Sequence, residues 1–149
     1  MRNLLLTGAL LLTGWAANAQ NVALDKKNNT IVIDGAATLK YTKINMANWS
    51  FYDMNEHEIV FFKLADNGTP SYRDDDYMII NFLTENTKVE TNDFSHIQAA
   101  FNINKSIEKF VVWLLKEKVL DNKGNINPDK VATFHSKYDQ NITNRTIKH

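Results

Sequence analysis

Residues Lys105 to Leu120 read KSIEKFVVWLLKEKVL, and the spacing of their apolar side chains decides the class of fold. Ile107, Phe110, Val111, Leu114, Leu115 and Val119 recur at three- and four-residue steps, which lines them along one stripe of a helix from about Lys105 to Leu120. Val112 and Trp113 widen that arc, so the helix is expected to be covered on more than one side. Residues 122–125, Gly124 among them, supply the stop. Asn127 followed by Pro128 then opens a second, shorter helix: the Asn side chain accepts from free first-turn amides, and Pro gives up an amide that would be unpaired there anyway. Val131, Phe134 and Tyr138 form its apolar side.

Upstream of this region the period changes to that of strands. Val22 to Asp25 and Thr30 to Asp34 flank Lys26, Lys27, Asn28 and Asn29, where Asn tolerates the positive backbone angles of a tight reversal. After Gly35, the run Thr38 to Ile44 alternates Leu39 and Tyr41 with Lys40 and Thr42, the pattern of a strand with one wet face. Ser50 to Met54 reads as a short strand entered from a loop, and Glu58 to Leu64, with Ile59 to Phe62 continuous, as a central one. Asp66, Asn67, Gly68 and Pro70 mark a longer loop before Tyr77 to Leu83, which reads as buried on both faces. Lys88 to Thr91 follows, and Phe94 to Phe101 reads equally as strand or as the approach to a helix. The expectation is an α+β domain: an antiparallel β-meander of about six strands followed by two C-terminal α-helices packed on the sheet.

At the outer ends of the chain the signals concern address. Arg2, the apolar run Leu4 to Leu12 and the small-x-small pattern Ala17-Asn18-Ala19 have the order of a cleavable signal peptide over residues 1–19. The run is interrupted by Thr7, Gly8, Thr13 and Gly14 and is too short to span a bilayer. Residues 20–138 are then one domain, and 139–149, polar and without period, a flexible C-terminal tail. Cleavage removes only the charge of Arg2, leaving 16 basic against 17 acidic residues, a balance with no electrostatic footprint for nucleic acid. The absence of cysteine leaves stability to packing alone and rules out both disulfides and attachment of lipid through an amino-terminal thiol. The expected location is periplasmic or extracellular, with no integral membrane span after cleavage.

Candidate sites are few. Trp49, Phe51 and Tyr52 beside Asn45 and Asn48 are a candidate surface for carbohydrate or peptide, the plainer reading being that aromatics of this size close the core. Asp74, Asp75 and Asp76 offer oxygen ligands to a hard cation such as calcium, without the spaced acids and glycine of a calcium loop. Glu56, His57 and Glu58 precede a strand, in which His57 would share a face with neither carboxylate. Ser106 and Lys109 match Ser-x-x-Lys, although Ser at a helix start is also a favoured cap. His135 falls at the helical spacing of Val131 and Tyr138, at the edge of the core, and His96 has no partner in the sequence. No catalytic residue and no cofactor is assigned.

The Ala19-Gln20 junction, the strand Asn29-Thr30-Ile31-Val32-Ile33-Asp34-Gly35, and the helix pair from Phe110 through Asn127-Pro128 to Phe134 and Tyr138 resemble small exported proteins of Gram-negative bacteria that carry no known activity. The resemblance implies an α+β fold and an envelope address, and it transfers no functional residue. The expected function is that of a non-catalytic periplasmic or secreted binding or interaction protein, with a protein or carbohydrate of the cell envelope as its partner. The alternatives are a periplasmic hydrolase of glycans or cell-wall material, with Glu56, Glu58, Asp76 and Ser106 the residues to test, and a proteinaceous inhibitor of a secreted enzyme.

Overall fold

Turn chemistry at short intervals divides the first two thirds of the domain into seven strands. They are β1 (Val22–Asp25), β2 (Thr30–Ile33), β3 (Ala36–Lys43), β4 (Asn48–Tyr52), β5 (Glu58–Ala65), β6 (Tyr77–Phe82) and β7 (Thr87–Thr91). The computed structural model describes residues 20–145; the signal peptide expected over 1–19 and the last four residues lie outside the described residues. The strands form one antiparallel sheet in the order of the sequence. The count is slightly higher than the expected six or so, and the short strand read at Ser50 to Met54 lies two residues upstream, at Asn48–Tyr52, paired with β3 on one side and β5 on the other. Residues 94–101 are neither strand nor helix entry throughout: Phe94–His96 is a 3-10 turn, capped by the Asp93 side chain accepting from the Ser95 amide.

The register shows which face is dry. Trp49 opposes Phe62, Phe62 opposes Ile80 and Ile80 opposes Val89, while Phe51 opposes Val60 and Val60 opposes Phe82, so a buried apolar layer crosses the sheet. The opposite face carries Asn48, Lys63, Ile79 and Glu90 in one row and Ser50, Phe61, Asn81 and Lys88 in the next. Ile79 is only half buried and Leu83 is exposed, so β6 has one open face rather than two covered ones. Helices α1 (Ile103–Lys116) and α2 (Pro128–Tyr138) lie on the apolar layer. The Phe110 ring of α1 stands 5.2 Å from Phe51 and 5.2 Å from Phe62, and the Phe134 ring of α2 stands 5.6 Å from Phe82. Trp113 and Phe134, 4.8 Å apart, join the two helices.

Both helices start on an asparagine. Asn127 accepts from the Lys130 amide with Pro128 in the first turn, as its sequence implies. Asn102, not Ser106, caps α1 by accepting from the Lys105 amide, which moves the helix start upstream of the expected Lys105. The helix also stops earlier than its apolar period, because Lys118 takes a left-handed backbone (φ 60°). Its amide donates to the Leu115 carbonyl and that of Val119 to the Leu114 carbonyl, the paired bonds of a Schellman ending. Val119 and Leu120 therefore reach the core from outside the helix. Since a non-glycine residue in this conformation costs about 1 kcal/mol, Lys118→Gly is expected to raise the urea midpoint with an unchanged slope; a lowered midpoint would contradict the assignment.

The tail expected to fray beyond Tyr138 is instead tied down as far as Thr143. The Asp139 carboxylate accepts from the Glu90 amide at 2.8 Å, the Gln140 amide donates to the Glu90 carbonyl at 2.7 Å, and the Gln140 side chain accepts from the Asn92 amide at 3.0 Å. These bonds satisfy the outward groups of an edge strand, which is why polar residues without helical period are ordered here. A short helical turn, α3 (Ile142–Arg145), follows. The opposite edge is held from α1, whose Glu108 carboxylate accepts from the Leu24 amide of β1 at 3.3 Å.

Candidate functional site

The meander sorts its loops. Residues 26–29, 44–47, 66–76 and the long connection 92–102 all leave the sheet at one end, where α1 begins and the chain beyond α2 arrives. Ile44, Met46, Tyr72 and Phe101, four exposed large apolar side chains, stand on these loops; Met46 is 72% exposed and Phe101 fully so. Between the loops lies an open cleft of about 840 Å³, lined by Ala47, the end of β5 at Lys63, Leu64 and Ala65, the loop residues Asp66, Asn67, Gly68 and Asp76, and by Tyr77, Phe94 and Thr143. It brings one ammonium group, two carboxylates, an amide and two hydroxyls around the half-buried Phe94 ring. Such a set can hydrogen-bond a hydroxyl- or amide-rich ligand while one apolar face rests on the ring.

The loop that supplies the acidic wall is shaped by its own side chains. The Asp66 carboxylate accepts from the Gly68 amide at 3.0 Å, and the Thr69 hydroxyl donates to Asp75 at 2.7 Å. Of the acids considered for a cation, Asp75 is thus occupied in holding the loop, Asp74 is exposed, and Asp76 alone reaches the cleft. Among the described residues no group of three or more His, Asp or Glu is gathered as a metal ion requires.

The aromatic candidates separate. Trp49 and Phe51, two apart on β4, turn together into the core, where Trp49 stacks on Phe62 at 4.1 Å, and neither has exposed surface to offer a ligand. Tyr52 points the other way and is half buried. Of the remaining candidates, Glu56 pairs with Lys40 at 2.6 Å, and His57 pairs with Asp53 at 2.9 Å on an exposed turn. Lys109 donates to the Gln98 carbonyl, so its amine is directed away from Ser106 by a competing bond. His135 is exposed, at 3.6 Å from Asp139, rather than at the edge of the core.

Two arrangements are invisible in the sequence because each joins distant segments. His96 stacks face to face on Trp113 at 4.3 Å, with the Tyr138 ring edge-on at 5.4 Å. Glu117, beside them, accepts from Lys137 at 2.8 Å and from the Tyr138 hydroxyl at 2.5 Å. This cluster fixes the start of the long connection against both helices and so positions Phe94 at the cleft. The second is Glu90, whose side chain is 1% exposed and paired with Lys88 at 2.7 Å while accepting from the amide and hydroxyl of Thr143, a cleft residue. Burial pushes its carboxyl upward, but the hydrogen bonds from Lys88 and Thr143, with the charge of Lys88, outweigh burial and hold it below its ordinary value.

A depressed carboxylate pKa contributes stability that is fully present above the unfolded-state value and is lost as pH falls through the folded-state value. Acidification into that low range is therefore expected to release Thr143 from Glu90 first. Hydrogen exchange at the Glu90, Asn92 and Thr143 amides will accelerate while Ile80, in the middle of the sheet, stays protected. Equal acceleration at all four positions would mean that the sheet opens as a whole and that the Glu90 contact has no separate role.

Comparison of the chain with protein-family models, with curated proteins and with solved structures finds no match.

Proposed function

We propose that the chain is an exported, non-catalytic binding protein of the periplasm or extracellular space, and that its ligand is an envelope carbohydrate seated in the cleft at the loop end of the sheet. The observation that carries this reading is the lining: Lys63, Asp66, Asn67 and Asp76 around Phe94, polar groups that match sugar hydroxyls beside a ring that matches a sugar's apolar face. The amino-terminal pattern of residues 1–19 supports the export. Among the described residues, no helix is long and apolar enough to cross a membrane.

Titration with a panel of cell-wall oligosaccharides tests the reading. Each of Phe94→Ala, Asp76→Asn and Lys63→Ala is expected to weaken binding about tenfold, the effect of a group contributing roughly 1.4 kcal/mol, with no turnover of the sugar. Binding that ignores all three substitutions overturns the site, and release of shortened sugar overturns the non-catalytic reading in favour of a glycan hydrolase. The exposed Met46 and Phe101 at the same end favour a second reading, an inhibitor that docks this end onto a secreted enzyme. A one-to-one complex with such an enzyme, broken by Met46→Asp, would mark it.

A further inference from the structure

We infer that β7 is a self-complementary edge held in reserve under the segment 139–145, and that the partner it fits is β7 of a second copy of this chain. This goes beyond the cleft and does not depend on what the cleft binds. The outward amide and carbonyl of Glu90 in β7, and the amide of Asn92 just beyond it, are occupied by residues 139–140. By strand alternation the backbone groups of Lys88 face the same way.

The strand reads Thr87-Lys88-Val89-Glu90-Thr91, a palindrome in chemistry about Val89. Two copies related by a two-fold axis at Val89 set Lys88 against Glu90 of the other copy, twice, and Thr87 against Thr91, twice. In that register Lys88 and Glu90 are the outward residues, so they exchange the backbone hydrogen bonds as well as opposite charges. Sliding by two residues in either direction places Lys88 against Lys88 or Glu90 against Glu90, so charge selects one register. The Lys88 and Glu90 side chains lie on the face opposite the core, Glu90 buried there under Thr143 and paired with Lys88 of its own strand at 2.7 Å, and Val89 lies on the core face. Once the cover lifts, both layers would continue across the junction and the Lys88–Glu90 pair would be exchanged between copies. Such a contact is isologous and closes as a dimer.

The cover is local. Beyond α2, Asp139 and Gln140 bond to Glu90 and Asn92, and Thr143 bonds to Glu90 and, at 3.4 Å, to the Tyr77 hydroxyl of β6. At the other edge Glu108 is anchored within α1 and cannot leave without the helix.

The test loosens the cover in the otherwise unchanged chain. Asp139→Ala with Thr143→Ala removes side-chain bonds to Glu90, and Gln140→Pro removes the amide donated to the Glu90 carbonyl while leaving both side chains in place. In each background the mass in sedimentation equilibrium is expected to double, with the Lys88 amide becoming protected from exchange. Adding Glu90→Lys should return the monomer, and adding Lys88→Glu together with Glu90→Lys should restore the dimer, because the exchanged charges again oppose. Loosened variants that keep their circular dichroism yet stay monomeric overturn the inference. So does a dimer indifferent to Glu90→Lys.

Discussion

Replacing Phe110 by alanine is expected to lower the free energy of unfolding by about 4 kcal/mol, a large share of the 5–15 kcal/mol or so that a domain of this kind possesses. Phe110 is wholly buried, and its ring meets those of Trp49, Phe51, Phe62 and Trp113 at 6.5, 5.2, 5.2 and 6.4 Å. Its neighbours belong to two central strands and to its own helix, so no single element can move inward to fill the space without abandoning the others. The lost burial and the residual cavity therefore add. Phe110→Leu keeps most of the volume and should cost about 1.5 kcal/mol or less. On the same helix, Val112 is 39% exposed, and Val112→Ala should change stability by under about 0.5 kcal/mol. Urea denaturation of the three variants reads the ranking directly. A Phe110→Ala loss below that of Phe110→Leu would mean that the helix does not seat on the sheet through this ring.

The same residues show why the class of fold is legible in the sequence and the site is not. The stripe of Ile107, Phe110, Val111, Leu114 and Leu115 is a local signal, since helix geometry alone puts those positions side by side, and all five are buried. The period continues through Val119, but Lys118 turns left-handed, an event that a lysine does not advertise. On β4 the alternation was available: Trp49 and Phe51 are two apart and must share a face, while Tyr52 must oppose them. Taking all three as one surface treats the segment as a loop, which its flanking asparagines encourage. The cleft is different in kind. Lys63, Asp76, Phe94 and Thr143 meet because the meander delivers four loops to one end, and neither composition nor spacing records which loops converge. Likewise Glu90 and Thr143 are 53 positions apart, and a buried glutamate in a strand is recognisable only once its partner is seen.

Gly124→Ala is expected to cost about 3 kcal/mol, from a left-handed backbone and a collision that add. Gly124 has φ +85°, and a methyl group there would lie 2.8 Å from the Thr38 carbonyl oxygen and 3.0 Å from both the Thr38 methyl and a Leu39 methyl. The oxygen is the unyielding neighbour, because it belongs to the backbone of β3: Thr38 is the residue left over where the pairing of β2 with β3 shifts register, and Ala37 and Leu39 on either side of it are paired with Val32 and Ile31. Nor can the glycine withdraw easily. Asp121 accepts from the Lys123 and Asn125 amides and from the Asn125 side chain, and the Asn127 amide donates to the Val119 carbonyl, so the loop is closed on itself just before α2 begins. Gly35 and Gly68 are the controls: both are left-handed, at φ +86° and +78°, but nothing lies within 4 Å of a methyl group at either. Their alanine variants should lose only the conformational part, about 1 kcal/mol. The difference between Gly124→Ala and Gly35→Ala, measured by urea denaturation, therefore isolates the contact between this loop and β3. If the difference vanishes, the loop rides on the sheet loosely enough to shift. In that case the placement of α2, which starts from the loop and carries Phe134 and Tyr138 to the core, must depend on those side chains alone.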